Sequence, residues 1–441
     1  MLAWAMVAHQ PSAAELSSWV ADARARTLML VADLADDELM GPRLAIVNPM
    51  RWEIGHVAWF QEKWVLRHAR GQGAMRENGD ALYDSAAIPH DVRWDLPLPS
   101  RAETLGYLHT VRDRVLALLG PEPSARDAYF IMLTVFHEDM HDEAFTYTRQ
   151  TLSYRAPPTL APDGALASAA TGALPGDAQV PGGRFILGPT EGDERFVFDN
   201  EKWAHPHEVA PFRIARAQVT QSEFAAFVDD GGYRRPDLWD PAGWRWRESE
   251  RAQHPVYWRR TDAGWERRHF DNWRPLEPHR PVIHVCFYEA EAYCRWAGRR
   301  LPTELEWEVA AAGEPDGSGR ALAARKRRFP WGDSPPTPER AHLDGRGLGC
   351  ADVGALPAGD SAFGCRQMIG NVWEWTASDF LPYPGFVRDP YKEYSEPWFG
   401  DHKVLRGGCW VTRARLLRNT WRNFYQPHRR DVWAGFRTCA S

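Results

Sequence analysis

The run His137-Glu138-Asp139-Met140-His141-Asp142-Glu143 carries the strongest chemical signal in the sequence. His137 and His141 are four positions apart, so in a helix their imidazoles project from one face and can bind the same metal ion. Glu143 lies off that face, so we interpret it as a residue that contacts a metal ligand and does not bind the metal itself. The same letters satisfy the zinc-protease pattern His-Glu-x-x-His, although that chemistry also needs a third ligand downstream and a peptide-binding strand.

A third histidine, His56, is the best candidate to complete this site. It lies on the apolar stripe of a second predicted helix, where Gly55 allows a neighbouring segment to approach closely. A lone histidine on an apolar face is more often a core residue, so the spaced pair is the stronger evidence. Three neutral imidazoles leave coordination positions open, which suits zinc hydrolysis or a non-haem Fe(II) centre that binds O2 and substrate. Spacing alone does not separate these chemistries.

Four helices in residues 12–153 would position these histidines. Apolar residues recur at helical spacing from Ser12 or Ser17 to about Asp37, after Asn48-Pro49, from Ser100 to Leu118, and from about Ser124 to Leu152. Helices of this number and length predict a four-helix bundle.

The remainder of the chain differs from this helical region in composition and in the pattern of its apolar residues. Residues 155–179 are rich in Pro, Ala and Gly and contain no aromatic residue, which predicts a linker. From position 180 short runs are broken by Gly, Pro, Asp and Trp, with helices expected at Phe287–Ala297 and from Thr303, where Glu306 would complete a capping box. We therefore predict an α+β protein with domains at 1–153 and 180–441 and a linker at 154–179.

Composition excludes several classes of partner. The net charge of −6 argues against binding to nucleic acid or to an anionic membrane. The sequence contains no run of 18 apolar residues, so no membrane-spanning helix is predicted. The start of the chain lacks an export signal, so we expect a cytoplasmic protein that acts on small molecules, and the oligomeric state is left open. Six cysteines without CxxC spacing are expected to be reduced thiols: Cys286, Cys294, Cys350, Cys365, Cys409 and Cys439.

Several sequence motifs resemble those of known families. Residues 180–441 resemble the formylglycine-generating-enzyme (sulfatase-modifying factor) fold, a relative of the C-type lectins, and residues 12–153 resemble a DinB-type bundle. That pairing is typical of the ergothioneine sulfoxide synthases. Formylglycine-generating enzymes bind copper through a cysteine pair after Arg-Gly-Gly, whereas residues 416–423 here contain no cysteine. The phrases that carry the first resemblance are Pro181–Gly188, Arg300–Glu308, Pro330–Asp333, Gly370–Thr376, Leu405–Gly408 and Gly435–Arg437.

The resemblance implies a metal and a substrate. In the sulfoxide synthases three histidines hold Fe(II) at the domain interface, and by motif these match His56, His137 and His141. The family's substrate is hercynine, the Nα-trimethylated histidine. Whether the lectin-like domain also binds a structural Ca(II) is left open by the sequence.

The resemblance also implies roles for residues near the C-terminus. Tyr391, in the motif Tyr-x-x-Tyr-Ser, resembles the tyrosine that supplies a proton or electron to the bound oxygen species. Tyr394 resembles a pocket tyrosine that faces the trimethylammonium, a cation that aromatic faces bind well. Asn423 matches the residue that binds the hercynine carboxylate, and Phe424 stands where the family usually has Trp.

Two departures bear on the second substrate. Tyr425 stands where enzymes that use γ-glutamylcysteine typically carry Asp, and Arg93 is the one Arg in a segment, 88–95, that is Arg-rich in those enzymes. This variant resembles the selenoneine synthase branch, whose donor is a selenosugar, 1-seleno-N-acetylglucosamine. We therefore expect C–Se bond formation, with C–S bond formation from γ-glutamylcysteine or cysteine as the alternative. A zinc hydrolase or thiol transferase, and a binding module without chemistry, are the further alternatives.

Overall fold

The computed structural model describes residues 10–157 and 171–441. The chain divides into two compact units, Met1–Thr159 with Glu191–Phe196, and Leu160–Thr190 with Val197–Ser441. Part of the predicted linker, 158–170, lies outside the described residues. Its end differs from the prediction, because a β-strand already begins at Asp177.

The described part of the first unit is helical, as the sequence predicts. One predicted helix is shorter than expected: it ends at Val31, and a separate turn of helix follows. The helices are α1 Ala13–Val31, α2 Asp36–Met40, α3 Met50–Gln61, α4 Gly79–Tyr83, α5 Arg101–Leu118 and α6 Ala125–Thr151, with a π-helical segment at Glu62–Ala69 and a 3-10 turn at His90–Trp94.

Side chains fix where the long helices begin. Ser12 and Ser100 each accept a hydrogen bond from the backbone N–H three residues on, and Glu15 and Glu103 return the bond to the cap. Such capping boxes satisfy N–H groups that have no partner within the helix. Ser124 caps α6 in the same way through its hydroxyl. These local signals explain why the starts of α5 and α6 could be predicted to within one residue, and why Ser12 was one of the two caps expected for α1.

A buried polar network sets the rotation of α6. Arg24 on α1 donates from Nε to Glu138 Oε1 at 2.7 Å, and the Thr27 hydroxyl donates to the same oxygen at 2.9 Å. Both charged groups are buried, so their geometry must be maintained closely to offset desolvation. Because Glu138 faces α1, the neighbouring His137 and His141 project toward α3.

The second unit is built on two four-stranded sheets, in the orders β1-β4-β13-β8 and β11-β10-β9-β12, with a two-stranded and a three-stranded sheet beside them. Pairing is antiparallel except between β9 and β12. The elements are β1 Asp177–Val180, β2 Gly183–Leu187, β3 His205–Val209, β4 Phe212–Ala215, α7 Gln221–Asp229, α8 Pro241–Ser249, β5 Trp258–Thr261, β6 Gly264–His269, β7 Asn272–Pro275, α9 Phe287–Trp296, β8 Arg299–Arg300, α10 Glu304–Ala312, β9 Trp373–Asp379, β10 Lys403–Arg406, β11 Asn423–Tyr425, β12 Ala434–Gly435 and β13 Cys439–Ala440.

Tryptophans and buried ion pairs fill the core of this unit. Trp307, Trp373 and Trp375 are fully buried, and Arg437 pairs with Glu374 at 2.6 Å. All six cysteines are buried and unpaired with one another, and their reduced state stays a prediction. The predicted α9 and α10 are both present, and Thr303 and Glu306 form the expected capping box. Among the described residues, no helix is long and apolar enough to cross a membrane.

Candidate metal centre and aromatic pocket

His56 on α3 and His137 and His141 on α6 form one cluster, as the sequence predicts. Their candidate ligand atoms all lie within 4.8 Å of one another, and the two Nε2 atoms of His56 and His137 are 3.3 Å apart. Imidazole nitrogens bind transition metals at about 2.1 Å, so one ion can bind both of these atoms. Within ranges 10–157 and 171–441 this is the one such cluster of His, Cys, Asp and Glu, and a structural calcium stays a prediction.

Hydrogen bonds orient two of the three rings. His56 Nδ1 lies 2.8 Å from the backbone oxygen of Tyr83, which accepts only, so Nδ1 carries the proton and Nε2 keeps its lone pair. His141 Nδ1 lies 3.2 Å from Glu53 Oε1, a carboxylate on α3. Outer partners of this kind fix the tautomer and the direction of a metal-binding imidazole. The sequence reasoning assigned no role to Glu53 or Tyr83.

The environment also keeps two of the rings neutral. Burial, with the neighbouring His141, holds the pKa of His56 well below its usual range. The same two causes, with His56 adding to them, hold the pKa of His137 well below its usual range. The ring of His137 stacks on Phe60 at a centroid distance of 3.6 Å. Neutral imidazoles with a fixed tautomer fit a divalent transition metal.

The glycine before His56 has a steric role. A Cβ at Gly55 would lie 2.2 Å from the ring of Tyr83. The missing side chain therefore lets Tyr83 pack onto α3 and bring its carbonyl to His56, in agreement with the close approach that the sequence suggested.

Glu138 cannot act as the general base that a His-Glu-x-x-His protease needs. Its carboxylate is buried, bound to Arg24 and Thr27, and directed to α1. The histidines beside it on the same helix project from a different face. The spacing matches the protease pattern, but the side chain serves helix packing.

Arg93, which was predicted to bind substrate, contacts residues that pack beside the histidine cluster. It is buried in the turn His90–Trp94, donates to Asn48 Oδ1 at 2.7 Å, and stacks over Trp52 at 4.1 Å. Asn48 in turn donates to Glu53 at 3.2 Å, and Trp52 stacks on the His56 ring at 4.7 Å. The guanidinium thus supports Glu53, the hydrogen-bond partner of His141, and a contact of Arg93 with substrate stays a prediction.

In the second unit, Tyr391 and Tyr394 lie at a 3-10 turn, Lys392–Tyr394. Tyr394 stacks on Phe198 at 4.3 Å and meets Phe424 edge-on at 5.7 Å, while Tyr391 is 6.0 Å away. Burial, with the Glu201 carboxylate nearby, raises the pKa of Tyr394, so its phenol stays protonated at neutral pH. Phe198, which the sequence reasoning missed, completes an aromatic wall.

Strand β11 carries the three other predicted substrate residues. Asn423 Oδ1 accepts from the backbone N–H of Phe424 at 2.8 Å, and the Arg429 guanidinium lies 5.4 Å from the Tyr425 ring. Strand alternation directs Phe424 to the face opposite Asn423 and Tyr425. Phe424 packs on Phe380 at 4.0 Å. The structure therefore brings Phe424, Tyr391 and Tyr394 together, whereas Asn423 and Tyr425 share the other face.

Comparisons with known proteins cover both units. A DinB superfamily model matches residues 20–144, and a sulfatase-modifying factor enzyme 1-like domain model matches residues 163–441. Hercynine oxygenase from Mycolicibacterium thermoresistibile is 41% identical over 97% of this chain and 95% of the relative, and hercynine oxygenase from Mycobacterium tuberculosis is 40% identical over 96% and 98%. Formylglycine-generating enzyme from Streptomyces coelicolor is 33% identical over 54% of this chain and 79% of its own length.

Among solved structures, PvdO from Pseudomonas aeruginosa covers 60% of this chain and 94% of its own, at 23% identity and a TM-score of 0.40. The family assignment rests on the two hercynine oxygenases, which match over nearly their whole length at 41% and 40% identity. On these matches, the chain belongs to the hercynine oxygenase family.

Proposed function

We propose that this chain is an Fe(II)- and O2-dependent enzyme that joins a chalcogen to the imidazole carbon of hercynine that lies between the two nitrogens. The observation that carries the proposal is the preformed cluster of His56, His137 and His141 in a relative of hercynine oxygenases. His56, His137 and His141 would hold Fe(II), and the bound ion would supply redox chemistry with O2 and Lewis acidity toward the chalcogen donor.

The protein's own groups would hold hercynine and move a proton. The faces of Tyr394, Phe198 and Phe424 would accept the trimethylammonium, because a quaternary ammonium has no hydrogen to donate. A hydrogen bond from Asn423 to the hercynine carboxylate stays a prediction, because its side chain lies on the face of β11 opposite Phe424. Tyr391 would release a proton from its phenol oxygen during the O2-dependent step.

The donor is the finer part of the proposal, and we propose a selenosugar. Tyr425 offers a neutral hydroxyl where an ammonium group would need a carboxylate. The Arg93 guanidinium is buried and bound to Asn48, so it is poorly placed to clamp a dicarboxylate donor. Both features favour a neutral, hydroxyl-rich donor over γ-glutamylcysteine, which is the alternative.

The test is reconstitution with Fe(II) under anaerobic conditions, followed by hercynine, O2 and one donor at a time. The donors are the selenosugar, γ-glutamylcysteine and cysteine, and the measurement is product mass. The expected result is a hercynine–selenosugar selenoxide from the selenosugar alone. In that reaction the imidazole C–H and Se–H hydrogens leave as water with one oxygen atom of O2, and the other oxygen atom oxidises selenium. Product from a thiol donor alone would keep the iron chemistry and reject the selenosugar.

A zinc hydrolase is disfavoured by the engagement of Glu138 with Arg24. A binding module without chemistry is tested by Tyr391→Phe. In an enzyme this variant retains hercynine binding and loses turnover by roughly a hundredfold or more, the range of a lost proton donor. Absence of any turnover in the parent would instead favour the binding module.

A further inference from the structure

A short turn in the second unit is held rigidly to the core beneath it. The turn is Asp199–Glu201. Arg422 donates to the backbone oxygen of Asn200 at 2.7 Å while its Nε pairs with Glu304 at 2.7 Å. Arg418 forms an ion pair with Glu201. These groups are buried, so the turn is anchored through charged hydrogen bonds on two sides.

The opposite side of the turn binds the segment that carries Tyr391 and Tyr394. The Ser395 hydroxyl donates to one oxygen of the Asp199 carboxylate, and the Asp389 backbone N–H donates to the other at 3.3 Å. Asn200 donates from Nδ2 to the Ser395 oxygen at 3.0 Å. A single carboxylate therefore binds both ends of the segment 389–395.

A second ion pair strengthens the same attachment. Lys202 Nζ contacts both oxygens of Asp389, at 2.7 and 2.8 Å. Ser395, Asp199 and Asn200 are almost wholly buried, whereas Val387 and Trp398, which flank the segment, are 68% and 41% exposed. The polar anchor is thus buried although the neighbouring chain is exposed, and hydrogen bonds of this kind are strong where water is excluded.

The anchor and the aromatic wall share neighbouring residues. Phe198, which stacks on Tyr394, directly precedes Asp199, and Ser395 directly follows Tyr394. A shift of the Asp199–Ser395 bond would therefore displace the Tyr394 ring from Phe198 and move Tyr391 with it.

We infer that Asp199 and Ser395 form a positioning pair that holds Tyr391 and Tyr394 in place for hercynine. This inference rests on the proposed function for the identity of the substrate. The attachment of the segment does not depend on that function.

The first test measures the attachment itself. The Fe(II)-loaded full chain and its Asp199→Asn and Ser395→Ala variants are digested briefly with trypsin, and cleavage after the exposed Lys392 is followed by mass. Loss of a hydrogen bond to a charged group predicts about tenfold faster cleavage in both variants. The control is Asp360→Asn, which removes a half-buried carboxylate that pairs with Arg366 in the same unit and should leave this cleavage unchanged.

The second test separates positioning from general stability. We expect the KM for hercynine to rise about tenfold and kcat to fall in both variants, with the KM for the donor within about twofold of the parent value. Unchanged cleavage after Lys392, or faster cleavage with an unchanged KM for hercynine, would overturn the inference. If both variants are cleaved faster but the parent protein does not turn over hercynine, the anchor is still supported. The proposed function is then rejected, and the positioning role for hercynine is rejected with it.

Discussion

At the scale of residues, the histidine cluster depends on atoms outside the three imidazoles. The sequence could predict His56, His137 and His141 because a spacing of four is a local property of a helix. It could not identify Glu53 or the Tyr83 carbonyl, because their contacts form only when α3 packs on α6 and α4. A charged residue on an otherwise buried helix face is the signal that points to Glu53.

Glu53→Gln should weaken metal binding about 10- to 100-fold, because the amide holds His141 Nδ1–H less strongly than a carboxylate does. The measurement is the dissociation constant for Co(II), by absorption titration. Glu62→Gln is the matched control: Glu62 is also buried, in the adjoining π-helical segment, but binds Tyr107. Equal affinity of Glu53→Gln and the parent would show that Glu53 does not support the ligand.

Gly55→Ala should destabilise the first unit by about 1–3 kcal/mol and weaken Co(II) binding, since the new methyl group overlaps the Tyr83 ring. The free energy of unfolding in urea measures the first effect. Gly106→Ala, on α5 with open space around it, should be stabilising by about 0.5–1 kcal/mol. The same outcome at both positions would contradict the steric role of Gly55.

At the scale of elements, the short helix α4 carries the carbonyl that orients His56. Asp80 attaches this helix to α3 and the π-helical segment, because it accepts from Trp59 Nε1 at 2.7 Å and from both terminal nitrogens of Arg67. The hydrogen bonds from Arg67 lower the pKa of Asp80 to about 2. None of these contacts has a local sequence signal.

Asp80→Asn tests this attachment through pH. The folded-state pKa of Asp80 lies below its usual value, so its stabilisation is complete above about pH 4 and is lost as pH falls toward 2. The side chain is about half exposed, so solvent screening limits the loss at pH 7 to about 1 kcal/mol or less. Urea unfolding at pH 7 and pH 3 should show a smaller parent–variant difference at pH 3. An equal difference at both values would contradict the assignment.

At the scale of the whole molecule, the predictions that succeeded rest on local or repeated signals. Capping residues at Ser12, Ser100 and Thr303 fixed helix starts. Several sequence motifs spread along residues 180–441 indicated the fold of the second unit. Predictions that needed tertiary contacts were less complete: Arg93 is buried against Asn48, and Phe424 faces away from Asn423 on a short strand. The choice of donor depends on such side-chain placements, which have no local signal in the sequence.

The most direct test of the central claim is O2 consumption by the Fe(II)-loaded protein with hercynine and a chalcogen donor. We predict uptake that requires both substrates, and that disappears when Zn(II) replaces Fe(II) or when His137→Ala removes a ligand. Zn(II) does not cycle between oxidation states, so it can fill the site without reacting with O2. Uptake that is absent with every donor, or that is equal with Zn(II), would contradict an iron-dependent oxygenase.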